Sequence, residues 1–76
     1  MKAYVMITVR SGAILEVVNN LRRIDGVMNA NMTFGPYDVV AVIQAENVHR
    51  IGRLIAADIQ PIPGVIDTLT CLVLEP

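Results

Sequence analysis

The sequence has one cysteine, one histidine, no tryptophan and few charged residues for its 76 positions. Because Cys71 stands alone, an internal disulfide is excluded, and no Cys and His residues have the spacing of metal ligands. Six Lys and Arg residues leave a net charge of −1, and only Arg22 and Arg23 are adjacent. Nucleic-acid binding depends on clustered basic residues, so direct binding of DNA or RNA is not expected.

Long apolar runs are also missing. No uninterrupted run is longer than the one at residues 39–43, whereas a membrane-spanning helix needs about 20 apolar residues. The N-terminal stretch ends at Arg10 and alternates like a strand, so it does not have the pattern of a signal peptide. The sequence therefore predicts a cytoplasmic protein without a membrane partner.

What the chain does have is an excess of apolar residues, 54% hydrophobic against 17% charged. A chain of this length buries only about 60% of its unfolded surface and needs a polar covering when it is monomeric. The excess apolar surface predicts self-association.

Hydrophobic periodicity divides the chain into six elements. Alternation and β-branched residues indicate strands, and apolar stripes at a spacing of three and four indicate helices, with Asn47 as an N-cap. The predicted strands cover residues 2–9, 27–34, 37–45 and 65–74, and the predicted helices cover 13–24 and 48–59. The order βαββαβ predicts one α+β domain over residues 1–76 with a ferredoxin-like fold. Its four-stranded antiparallel sheet has the strand order 4-1-3-2, and both helices lie on one face.

Both faces of this predicted sheet are apolar. The helices are able to bury only one face, and a face left to solvent should carry polar residues at alternate positions. The two faces of each strand carry the following apolar residues. In the first strand they are Ala3, Val5, Ile7 and Val9 on one face and Tyr4 and Met6 on the other. In the third strand they are Val39, Ala41 and Ile43 on one face and Val40 and Val42 on the other, and in the last strand Leu69, Cys71 and Val73 on one face and Leu72 and Leu74 on the other. The uncovered face is predicted to pack on the sheet of a second copy, giving a homodimer.

Residues suited to catalysis are scarce. His49 is predicted on the surface of the second helix without a carboxylate or nucleophile partner. Cys71 is predicted as a buried, unreactive strand residue. We therefore expect no enzyme activity, no catalytic residue, no cofactor and no metal.

A candidate ligand site follows from the topology. The turn residues 35–37 and Asp38, the start of the last strand and Arg10 are all predicted at one end of the sheet. Thr68 and Thr70 share one face of that last strand, about 10 Å from Asp38 across one intervening strand. An acid and a base at one rim suit a zwitterionic ligand. The alternative is that Asp38 accepts hydrogen bonds from neighbouring backbone N–H groups and that the threonines are ordinary strand residues.

These same segments resemble the effector-binding (RAM) domain of the Lrp/AsnC, or feast/famine, transcription regulators. The similar segments are Ala3-Tyr4-Val5, Ile24-Asp25-Gly26-Val27, Gly35-Pro36-Tyr37-Asp38 and the run from Pro63 to Thr70. The resemblance implies dimers paired sheet to sheet, assembly of dimers into larger tetramer-to-octamer rings, and an amino-acid effector bound between dimers.

The resemblance also implies site residues. Gly35, Tyr37 and Asp38 would form the ligand site, with Thr68 and Thr70 behind them. Asp38 would hold the ligand ammonium, while backbone N–H groups near Gly35 and the threonine hydroxyls would hold the carboxylate. Pro36 at the variable position of the turn stiffens the loop and bears on which ligand fits.

Full-length family members also have an N-terminal helix-turn-helix domain, and from this sequence we expect no DNA-binding domain. It resembles the stand-alone module, which would regulate transcription or metabolism through partners, including mixed assembly with a full-length Lrp/AsnC regulator. Two alternatives remain open: a dimeric α+β barrel enzyme of the monooxygenase or isomerase type, and a structural adaptor that binds no ligand.

Overall fold

The computed structural model describes residues 1–74. Its elements are, in chain order, β1 (Lys2–Val9), α1 (Ile14–Leu21), β2 (Val27–Met32), β3 (Val39–Gln44), α2 (Val48–Leu54), a π-helical segment (Ile55–Ile59) that continues α2, and β4 (Val65–Leu72). The order is βαββαβ, and the strands form one antiparallel sheet in the order β2-β3-β1-β4. The predicted ferredoxin-like fold and strand order are confirmed.

Helix α1 is held to the sheet by one apolar stripe. Val17, Val18 and Leu21 are buried, which is the helical spacing seen in the sequence. The helix ends at Leu21 and not at residue 24, because Arg23 and Ile24 donate to the carbonyls three residues earlier and tighten the chain. The turn then passes through Gly26, whose φ is +98°.

Helix α2 begins with the predicted cap. The Asn47 side chain accepts a hydrogen bond from the Arg50 N–H at 2.9 Å, which satisfies one of the free donors of the first turn. After Leu54 the helix widens, and the Gln60 N–H donates to the Ile55 carbonyl at 2.8 Å. The wider turn keeps Ile55 and Ile59 buried.

The core lies between the helices and one face of the sheet. Alternate residues of β1 and β3, including Val5, Ile7 and Ile43, are fully buried there. They meet the α1 stripe and Ile51, Ile55 and Ile59 from the second helical segment. The helices therefore bury the Ala3-to-Val9 set and leave the other face of the sheet uncovered.

The uncovered face, called the open face below, consists of residues from three strands. Register and alternation place on it Tyr4, Met6, Val40, Val42, Leu69 and Cys71. Tyr4 and Leu69 are exposed, and so is the Cys71 thiol. The prediction of a buried Cys71 is wrong for the single chain, because this residue lies opposite Tyr4 on the side away from the helices.

Candidate functional site

Asp38 lies at the rim where the β2–β3 connection reaches the end of β1. Its Oδ2 accepts a hydrogen bond from the Val9 N–H at 2.7 Å, and its own N–H donates to the Ile7 carbonyl at 3.0 Å. The backbone of β1 therefore fixes this half-buried carboxylate in place. Asp38 thus accepts from a backbone N–H, as in the alternative that the sequence left open, but the N–H belongs to β1 and not to the turn.

Arg10 lies at the same rim and directly follows Val9, whose N–H donates to Asp38. Its N–H donates to the Gly64 carbonyl at 2.7 Å, which ties the end of β1 to the turn before β4. The Arg10 side chain is exposed. The predicted placement of an acid and a base at one end of the sheet is therefore present in the structure.

The turn residues Gly35 and Tyr37 belong to a longer connection than predicted. Because β2 ends at Met32 and β3 begins at Val39, residues 33–38 connect them. The Thr33 hydroxyl donates to the Tyr37 carbonyl at 2.6 Å and closes this connection. Gly35 is exposed, and a Cβ placed there would meet nothing within 4 Å. Its backbone is open to an approaching molecule.

Thr68 and Thr70 lie on the helix side of β4. They are opposite Ile7 and Val5, whose side chains point into the core. The Thr68 hydroxyl accepts from the Gln60 side chain at 3.2 Å, at the end of the π-helical segment. Thr70, two residues further on, is exposed.

The two groups of predicted site residues thus lie on opposite sides of the sheet. Asp38 directly precedes Val39, whose side chain lies in the core. Because successive side chains of a strand point to opposite faces, the Asp38 side chain leaves the backbone on the open-face side. Thr68 and Thr70 are on the helix side. One copy brings Arg10, Asp38 and the turn together but does not bring the threonine hydroxyls into the same pocket.

The structure contains a groove that the sequence reasoning missed, at the opposite end of the sheet. It has a volume of about 550 Å³ and lies between the turn after α1, the end of β3 and α2. Its charged lining residues are Asp25, Glu46, Asp58, Arg50 and Arg53. The signal available in the sequence was the Arg50–Arg53 spacing, which places both side chains on one side of a helix.

Other residues considered for chemistry are dispersed. His49 is exposed in the first turn of α2, as predicted. Within residues 1–74, no three His, Cys, Asp or Glu side chains come together as metal ligands. No helix in this part of the chain is long and apolar enough to cross a membrane.

Comparison with known families gives a match over nearly the whole chain. The family model of the Lrp/AsnC ligand binding domain matches residues 2–76. The chain belongs to the Lrp/AsnC family. This confirms the resemblance predicted from the turn at residues 35–38 and the strand containing Thr68 and Thr70.

Relatives of this Lrp/AsnC chain are regulators. It is 35% identical over 75 residues to the HTH-type transcriptional regulator FL11 of Pyrococcus abyssi, covering 99% of this chain and 49% of FL11. The chain thus spans about half the length of the curated relatives that it matches first. These relatives are named as transcriptional regulators and not as enzymes.

Two solved structures illustrate the same fold. The protein TTHA0845 from Thermus thermophilus superposes with a TM-score of 0.93 at 24% identity, covering 99% of this chain and 94% of that one. The regulator NMB0573 from Neisseria meningitidis, solved as a complex with L-Met, gives a TM-score of 0.87 at 16% identity, covering 97% of this chain and 49% of that one.

Proposed function

We propose that this chain is an amino-acid-responsive regulatory module that self-associates and acts on transcription or metabolism through partner proteins. The observation that carries the proposal is the match of residues 2–76 to the Lrp/AsnC ligand binding domain. The relative NMB0573 was solved with L-Met, so the same fold accommodates an amino acid in that protein. A full-length Lrp/AsnC regulator is the partner we propose, by mixed assembly, in the cytoplasm.

The proposed ligand site uses the rim residues Arg10, Gly35, Tyr37 and Asp38. Oδ2 of Asp38 accepts a hydrogen bond from the Val9 N–H. Oδ1 of Asp38 accepts no hydrogen bond from residues 1–74. We assign Oδ1 to the ammonium of an amino acid, because a carboxylate oxygen accepts such a charged donor well. The exposed backbone at Gly35 and the Arg10 guanidinium are suited to the ligand carboxylate.

The placement of Thr68 and Thr70 favours a site shared between copies. Their hydroxyls lie on the helix side of the sheet, away from Asp38, so a ligand that contacts both groups must meet them on different copies. A site between dimers satisfies this condition. Ligand binding then stabilises the larger assembly by mass action, because only the assembled form offers all contacts.

The open face supports the dimer itself. An apolar surface spanning β3, β1 and β4 costs free energy when it faces water and is covered by an identical face across a two-fold axis. We propose dimers paired through this face, and their further assembly to tetramers or octamers. Direct contact with nucleic acid is not proposed, because only six basic residues are present.

A second candidate function is a structural adaptor that binds no ligand. The observation that favours it is the Val9–Asp38 hydrogen bond, which gives the carboxylate a purely structural task. The two functions differ in what the charge of Asp38 does, and one experiment separates them.

The experiment is a thermal-shift panel of the common amino acids at millimolar concentration, on the wild type and on Asp38→Asn and Asp38→Ala. A ligand at 100 times its Kd adds about 2.7 kcal/mol to the native state, so we expect one chemical class to raise the Tm of the wild type by several degrees. Asp38→Asn keeps a side-chain oxygen for the Val9 N–H but removes the charge. It is expected to keep the wild-type Tm and to lose the ligand response.

Asp38→Ala serves as the structural comparison, because it loses the Val9 hydrogen bond as well as the charge. It is expected to lower the free energy of unfolding by about 1.5–3 kcal/mol. A full ligand response in Asp38→Asn contradicts the ammonium role. Absence of any response in the wild type contradicts the sensing function and leaves the adaptor.

A further inference from the structure

The groove at the end of the sheet opposite the rim, called the α2 groove below, is lined from two sides. One side is a flank of α2 and of the π-helical segment that continues it, formed by Arg50, Arg53, Leu54, Ala57 and Asp58. These positions follow the spacing i, i+3, i+4, i+7, i+8 of one helix face. The other side combines the turn after α1 with the end of β3, and its lining residues are Asp25, Gly26, Gln44, Ala45 and Glu46.

A glycine brings the two sides of the α2 groove together. A Cβ at Gly26 would lie 2.7 Å from the Leu54 Cδ1 and 3.2 Å from the Gln44 carbonyl oxygen. Leu54 is therefore able to pack directly against the backbone of the turn, and it is half-buried there. Ala57, one helical turn further on, is small and exposed. The groove thus combines an apolar contact with open space of about 550 Å³.

The charged side chains of the α2 groove do not hydrogen-bond one another. Within residues 1–74, the arginine side chains that donate hydrogen bonds are those of Arg22 and Arg23, and the carboxylates that accept them are those of Asp38 and Asp67. None of these four residues lines the groove. The two guanidiniums and three carboxylates of the groove are therefore available to a ligand.

This mixture of charges restricts the chemistry of the ligand. Three carboxylates repel a purely anionic ligand such as a dicarboxylate, and two guanidiniums repel a polyamine. A ligand with charges of both signs fits. Arg50 and Asp58 are eight positions apart, which is at most about 12 Å along the helix axis. A free amino acid has its two charges within about 3 Å of each other, whereas an extended tripeptide spans about 10 Å.

We propose that the α2 groove binds a short peptide with free termini, about two to four residues long. The peptide carboxylate binds the guanidiniums of Arg50 and Arg53, since a guanidinium donates two parallel hydrogen bonds to a carboxylate. The peptide ammonium binds the carboxylate of Asp58. This site goes beyond the proposed function, because it lies at the other end of the sheet from the rim and uses none of the rim residues.

The middle of the groove also suits a peptide. The exposed Gln44 side chain has an amide with both donors and an acceptor, which are the groups that pair with the C=O and N–H of a peptide bond. Leu54 and Ala57 provide an apolar surface for a peptide side chain. An apolar residue is therefore expected in the middle of the bound peptide.

Isothermal titration calorimetry of the full chain with the tripeptide Ala-Leu-Ala tests the site. We expect saturable binding at millimolar concentration or below. The same peptide with an acetylated N-terminus and an amidated C-terminus lacks both charges, and it is expected to bind at least about tenfold more weakly. Free L-leucine, whose charges are too close together to reach both Arg50 and Asp58, is expected not to displace the tripeptide.

Two adjacent alanines locate the bound peptide. Ala56 and Ala57 are both exposed in the π-helical segment, but only Ala57 lines the groove. Ala57→Leu fills the groove and is expected to weaken binding of Ala-Leu-Ala at least about tenfold. Ala56→Leu adds the same side chain outside the groove and is expected to bind the tripeptide like the wild type.

Two arginines test the charge in the same way. Arg53 lines the groove and Arg23 does not. Arg53→Gln removes one guanidinium from the peptide carboxylate and is expected to weaken binding at least about tenfold. Arg23→Gln changes the net charge of the chain equally and is expected to leave the affinity unchanged.

Several results overturn the proposal. They are equal affinities of Ala57→Leu and Ala56→Leu, equal affinities of Arg53→Gln and Arg23→Gln, binding of the capped peptide as tightly as the free one, displacement of the tripeptide by L-leucine, and a wild type that binds no Ala-Leu-Ala at millimolar concentration. None of these results changes the amino-acid response at the rim, which is measured separately.

Discussion

Single residues at the turns set how closely the helices approach the sheet. Gly12 and Gly64 both have positive φ, at +87° and +102°, but their surroundings differ. A Cβ at Gly12 would meet nothing within 4 Å, whereas one at Gly64 would lie 2.7 Å from the Ala13 Cβ. Gly64 is thus the position where the start of β4 passes against the start of α1, beside the rim that holds Arg10.

This difference predicts unequal costs for the same substitution. Gly12→Ala is expected to lower the free energy of unfolding by about 1–2 kcal/mol, the cost of a left-handed conformation for a residue with a Cβ. Gly64→Ala adds a steric clash with Ala13 and is expected to cost clearly more. Urea unfolding of both variants measures the difference, and equal values would show that the α1–β4 contact adjusts freely.

At the scale of elements, Arg22 connects the end of α1 to the edge of β2. Its guanidinium satisfies the outward Ala30 carbonyl, whereas the neighbouring Arg23 reaches only the Asn20 side chain, at 3.4 Å. Arg22 and Arg23 are the only adjacent basic residues in the sequence. The first of them covers the edge of β2.

The two arginines are a matched pair for measurement. Arg22→Ala is expected to lower the free energy of unfolding by about 1–2 kcal/mol, because charged hydrogen bonds to a carbonyl are lost at a partly exposed site. It also opens the β2 edge, so faster aggregation at high concentration is expected. Arg23→Ala is expected to stay within about 0.5 kcal/mol of the wild type. Equal effects would remove the edge-covering role of Arg22.

At the scale of the whole molecule, the open face determines the assembly. Leu69 on the open face is 51% exposed, and Leu15 on the outer side of α1 is 61% exposed. The two leucines are therefore similarly accessible in the single chain, but only Leu69 belongs to the surface proposed to pair.

Light scattering over a range of concentrations tests this surface. Leu69→Lys is expected to weaken dimerisation by about 2 kcal/mol or more, since the interface loses apolar burial and gains a charge. Leu15→Lys is expected to leave the molar mass unchanged at every concentration. A lower mass for Leu15→Lys alone would place the interface on the helices and contradict the proposal.

The sequence by itself determined the fold and the family. Element order and the two apolar faces of each strand were readable because alternation and helical spacing are local properties of the chain. The strand order followed from the βαββαβ motif. The segments around Asp38 and Thr68–Thr70 were enough to indicate the Lrp/AsnC family. Element ends were less well predicted, since α1 stops at Leu21 through turn bonds that no periodicity shows.

Only the tertiary structure decided what the candidate site residues touch. That Asp38 bonds the Val9 N–H, that Thr68 accepts from Gln60 and that the threonines lie on the other side of the sheet from Asp38 depend on register and strand pairing. Pairing is a relation between distant segments, and a shift of one residue would exchange the faces. The exposure of Cys71 was decided in the same way, because which face the helices cover is a property of packing and not of any one strand.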